Sequence, residues 1–84
     1  MEQYLIILEY RVDKDWFNDP SEVLKINLQE LKIEKTISEF EIKQTEYTEK
    51  EFVSEIRVLS NLNKEDMFNH LKNHSTRIEK WNIK

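Results

Sequence analysis

The chain of 84 residues contains no glycine, no alanine and no cysteine. Those absences constrain it more than any residue it does contain. Glycine lets a backbone approach a phosphate closely or adopt positive φ. Without it, dinucleotide fingerprints, phosphate-cradling loops and calcium loops of the usual form cannot be built. Without cysteine there is no disulfide, no thiolate nucleophile and no zinc–thiolate site. Every turn must be made by residues with a side chain, and the core must be filled by large ones.

Nine Ile, eight Leu, four Val, four Phe, three Tyr and two Trp supply that core. This β-branched and aromatic content is what disordered chains lack. The length corresponds to one domain over residues 1–84, with a thin core between two layers. A net charge of −4 argues against a nucleic-acid surface, which carries a basic stripe. The longest apolar run, Tyr4 to Leu8, is far too short to span a membrane, and no signal peptide opens the chain. The cytoplasm is the default location.

Periodicity orders the elements. Residues 3–12 alternate as a strand, with Tyr4, Ile6, Leu8, Tyr10 and Val12 on one face and Leu5 and Ile7 on the other. A strand apolar on both faces at one end belongs in the middle of a sheet. Asp19-Pro20 reads as an N-cap with proline at the first helical position. The helix runs to about Lys32 on a stripe of Val23, Leu24, Leu28 and Leu31. In Ile37–Tyr47, Phe40 and Ile42 alternate with Glu39, Glu41 and Lys43, so one face is buried and one solvated. A turn near Thr48–Glu51 leads to Phe52–Leu59, with Phe52, Ile56 and Val58 inward. Asn63 caps a second helix whose Met67, Phe68 and Leu71 point inward. Thr76–Ile83 reads as a last strand, where Ile78 and Trp81 can share a face only through a bulge. The β-α-β-β-α-β order gives a ferredoxin-like α+β fold, with both helices on one face of a four-stranded antiparallel sheet.

The stretch Asp19-Pro20-Ser21-Glu22-Val23-Leu24, between a hydrophobic strand and a leucine-rich helix, resembles the turn into an ACT-type regulatory domain. Leu28, Leu31, Ile33 and Ile37 continue that pattern, with Ser21 where those domains carry glycine. The charged hairpin, short second helix and tryptophan in the final strand resemble the C-terminal ACT-like domain of MgtC/SapB-type membrane proteins. The resemblance implies a soluble module on the inner side of a membrane that modulates or assembles a membrane-protein partner.

Among candidate sites, Asp13, Asp15 and Asp19 with Glu22 can gather oxygen ligands for Mg²⁺ or Ca²⁺. The same residues also read as a helix cap and a solvated loop, with Trp16 and Phe17 folded back onto the core. Asp15, Asp19 and Ser21 would form a ligand site beside the N-terminus of the first helix, which favours anions. His70 and His74 have the i,i+4 spacing that can grip a metal, but the intervening residues lack a zincin glutamate. No serine has a nucleophile motif around it, so no catalytic residues are assigned and no cofactor is called for. The sheet carries no aromatic–basic signature of an RNA-recognition module. Leu5, Ile7, Val53 and Leu59 fall on the sheet face away from the helices. That apolar strip is expected to be an interface, for a second copy or a membrane-protein partner. The alternative function is a divalent-cation or small-ligand sensor using the acidic loop.

Overall fold

The computed structural model describes residues 3–16, 18–75 and 78–84. Strand β1 (Tyr4–Asp13) is followed by a 3₁₀ turn (Lys14–Trp16), helix α1 (Pro20–Ile33), strands β2 (Ile37–Tyr47) and β3 (Glu51–Ser60), helix α2 (Lys64–His74) and strand β4 (Glu79–Ile83). The sheet order is β2-β3-β1-β4, all neighbours antiparallel. This is the ferredoxin-like arrangement, with β1 and β3 central.

Alternation fixes which face is buried. Ile6, Leu8, Tyr10 and Val12 of β1 join Phe52, Ile56 and Val58 of β3 in a single core. Leu24, Leu28 and Leu31 of α1 and Met67 and Leu71 of α2 close over it, so both helices lie on one side. Tyr10 sits at the centre, its ring 4.8 Å from Trp81 and 6.3 Å edge-on from Phe52. Burial drives this packing, and the tilted aromatic contacts add to it.

Side chains do the work of the missing glycines. Asp19 caps α1, its carboxylate accepting from the Ser21 N–H and hydroxyl. Asn63 caps α2 by accepting from the Asp66 N–H. At the end of α1, Lys35 takes a φ of 64°. The Lys35 N–H then reaches the Lys32 carbonyl, and the Thr36 N–H reaches that of Leu31. This is a Schellman closure with lysine in the left-handed position usually held by glycine. Thr48 makes the β2–β3 turn, its hydroxyl accepting the Glu51 N–H at 2.8 Å.

β2 is irregular. Its register with β3 shifts between Ile37 and Glu39 and again between Ile42 and Gln44, leaving Ser38 and Lys43 as extra residues. The buried serines of β3 lie against these irregularities. Ser60 donates to the Thr36 carbonyl at 2.6 Å, and Ser54 donates to that of Gln44 at 3.2 Å. A buried hydroxyl without a partner would be costly; these two are satisfied.

Four expectations change in detail. Tyr4, assigned to the inward face, is more than a third exposed, because it lies where the strand runs out from under the helices. Phe68 is 46% exposed, because Met67 and Leu71 already fill the buried line of α2 and Phe68 is a step of about 100° away. β4 begins at Glu79, so Ile78 precedes the ladder and packs on the core without a bulge. Trp16 is 64% exposed in its 3₁₀ turn rather than folded onto the core. Phe17, Thr76 and Arg77 lie outside the described residues.

Candidate functional site

Among the described residues, no element of secondary structure covers the face opposite the helices, and the strand registers place its residues in rows. In the first row Glu39, Leu59 and Leu5 lie side by side; in the second, Glu41, Arg57 and Ile7. Lys84 joins the second row, because its N–H donates to the Ile7 carbonyl at 2.9 Å. The third row is Gln44, Glu55, Glu9 and Asn82, and the fourth is Glu46, Val53, Arg11 and Lys80. The four residues expected to form the apolar strip therefore do share this face. Leu5 (63% exposed), Ile7 and Leu59 are contiguous at one end, while Val53 stands apart among charges. A shallow groove of roughly 340 Å³ runs along that end between Leu5, Leu59, Arg57, Glu39 and Glu41.

The middle of the face is an ion-pair network. Glu9, with only 15% of its side chain exposed, accepts from Arg11 Nε at 2.8 Å. Lys84 Nζ lies 3.1 Å from Glu55 and 3.6 Å from Glu9. The Arg11 hydrogen bond, reinforced by the charges of Arg11 and Lys84, holds the Glu9 carboxyl below its ordinary value against the opposing effect of burial. Glu55 and Glu9 in turn raise the Lys84 ammonium.

Charge is not evenly spread. Glu39, Glu41 and Glu46 form a mainly acidic column on β2, with Lys32 Nζ 3.8 Å from Glu39 and Lys43 Nζ 3.7 Å from Glu41, whereas Lys80 and Lys84 form a basic column along the β4 edge. None of this charge column pattern was read from the sequence. Simple alternation carries Lys43 onto the same face as Glu41, and its ammonium does lie 3.7 Å from Glu41; the bulge at Lys43 then brings Gln44 and Glu46 onto that face, where alternation would place neither. No local signal announces that bulge; the charged residues it aligns could be found only with the strand pairing in hand.

On the helix side, Asn27, Glu30, Leu31, Glu34, Leu71, Glu79 and Trp81 line a small cleft of about 60 Å³. At its floor Glu79 Oε2 accepts from both the Tyr10 hydroxyl and Asn27 Nδ2, each at 2.7 Å. Burial, and then the Glu79 carboxylate, push the Tyr10 phenol far above its ordinary value. Tyr10 is a structural donor here. Its proton is held too firmly for acid–base work near neutrality.

The acidic loop is spread along the chain. Asp13 closes β1 and accepts the Asp15 N–H at 2.9 Å. Asp19 is occupied with capping, and the Ser21 hydroxyl bond leads the contributions that hold its carboxyl low. Among the described residues, no three His, Asp or Glu side chains are grouped to hold a metal ion. His70 Nε2 lies 4.0 Å from Glu34, the C-cap of α1, an ion pair when the imidazole is protonated. The His74 side chain, the other half of the spaced pair, lies outside the described residues. Among the described residues no helix is long and apolar enough to cross a membrane. No protein-family model matches the chain, and no curated protein or solved structure does either.

Proposed function

We propose that this protein is a non-catalytic association module that meets other polypeptide, a second copy of itself included, through the open face of its sheet. The observation that carries the reading is the cluster of Leu5, Ile7 and Leu59 at one end of a face bearing no helix. An apolar end beside a charged network is the composition of an interface with a dry part and a polar surround. The small cleft on the helix side offers little room for a substrate, and its one strongly perturbed group serves the core. A regulatory role follows by linkage: a ligand or partner that prefers one association state shifts the balance by its difference in affinity. Beside a membrane protein of the MgtC/SapB type, such a module would assemble or modulate it, as the sequence resemblance implies.

The test is an amide-shift map across a dilution from about 1 mM to about 10 μM, a range bracketing the affinity expected of a small interface. Concentration-dependent shifts centred on Leu5, Ile7, Arg57 and Leu59 are expected. Shifts confined to α1 and α2, or no shifts at all, overturn the reading.

A further inference from the structure

Resting on the reading that the open face is where association occurs, we infer that the occupant is a second copy, stacked face to face about a two-fold axis parallel to the central strands. The charge pattern selects this axis. Two sheets can stack face to face about a two-fold axis lying either along the strands or across them. An axis along the strands, passing between β1 and β3, exchanges the left and right halves of the sheet but keeps each row at its own level. The acidic β2 column of one copy then stands over the basic β4 edge of the other.

The rows match one by one, before the angle of about 30° that stacked sheets adopt. In the first row Leu5 meets the partner copy's Leu59, so the two apolar ends cover each other. In the second, Glu41 lies over Lys84. In the fourth, Glu46 lies over Lys80 and Val53 over Arg11. The second row also sets Arg57 over Ile7, a cation over an apolar side chain, and the third places Glu9 over Glu55. Each of those carboxylates, however, arrives already paired with Lys84, and Glu9 with Arg11 as well.

An axis across the strands does the opposite. Set at the third row, it stacks β2 on β2, with Glu46 over Glu41, and the β4 edge on itself, with Lys80 over Lys84. It also carries Leu5 onto the Asp13 and Arg11 end. Like charges then face each other at both edges, an arrangement interfaces avoid. Side-by-side pairing through β2 is hindered because Ser38 and Lys43 interrupt its register.

The face measures about 600 Å² per copy for strands of 10, 11, 10 and 5 residues about 4.8 Å apart. Two such faces bury about 1,200 Å², the small end of stable interfaces, so the dissociation constant is expected on the order of 10–100 μM.

Sedimentation equilibrium on Glu46→Lys, Lys80→Glu and the double variant decides the matter. Both positions are exposed, so all three variants change surface charge only, and thermal melts confirm that they remain folded. Each pair occurs twice by symmetry, so either single reversal weakens the dimer by about tenfold, and the double reversal restores it to within about twofold. Tighter dimers from the single variants, the sign expected for an axis across the strands, overturn the inference. Unchanged dimers or a failed restoration do the same, while leaving face association standing. A wild-type chain that stays monomeric at about 1 mM removes both.

Discussion

Replacing Tyr10 by Phe tests whether the hydrogen bond under the helix-side cleft is a principal support of the fold. The substitution keeps the ring that touches Trp81 and Phe52 and deletes only the hydroxyl that donates to Glu79 at 2.7 Å. A buried hydrogen bond to a charged acceptor contributes about 2 kcal/mol. For a domain of this size that corresponds to a drop in melting temperature of about 8–16 °C. Urea unfolding of the wild type, Tyr10→Phe, Glu79→Gln and the double variant gives the coupling directly, expected to be at least about 1 kcal/mol. pH supplies a second reading. Because the folded state holds the Tyr10 proton more tightly than the unfolded chain does, this stabilisation is complete below about pH 10 and declines above it. Tyr10→Phe lacks that decline, so the gap between wild type and variant should narrow as the pH rises from 10 towards 11.5. A coupling below about 0.3 kcal/mol, or a gap that stays constant with pH, refutes the reasoning.

Two further outcomes concern the open face and the turns. Glu9→Gln should lower stability at pH 7 by about 0.5–1 kcal/mol, a figure reduced for the half-exposed Arg11 partner. Since Glu9 is held below its ordinary 4.5, its contribution is present above that pH and disappears as the carboxylate protonates. Urea midpoints of variant and wild type should therefore converge as the pH is lowered through the acid range, the difference being largest near neutrality. Lys35→Gly should raise stability by about 0.5–1 kcal/mol, because φ at Lys35 is 64° and glycine reaches that region without the Cβ clash. A decrease on thermal melting would mean that the lysine side chain contributes more than the backbone strain removes.

The helices and central strands were legible because their signals are local. Asp19-Pro20 and Asn63 mark where helices begin, and the even-numbered apolar residues of Ile6 to Val12 mark a buried face. The position of β1 in the sheet followed from its two apolar faces, and the pairing of β1 with both β3 and β4 agrees. What escaped notice depends on relations between distant residues. Phe68 looked inward because three apolar residues occur close together on α2, but only two of its neighbours lie on the line that the sheet can cover. The last strand was drawn too long because Ile78 is apolar, although it packs on the core from outside the ladder. The placing of Leu5, Ile7 and Leu59 on the open face was visible as an alternating pattern. The charges that give the face its direction were not, because the shift at Lys43 changes which residues stand beside Val53 and Glu55.

The irregular course of β2 also bears on what happens when this protein is crowded. A regular exposed edge invites strand upon strand, and that growth has no natural end, which is how fibrils begin. Here the edge is broken at Ser38 and Lys43, and its outward-facing positions are mostly glutamate. In the face-to-face pairing inferred above, by contrast, the contact would be consumed once formed, because a surface that binds its own image leaves nothing free for a third molecule. Concentrated solutions should reach a plateau of pairs and stay clear.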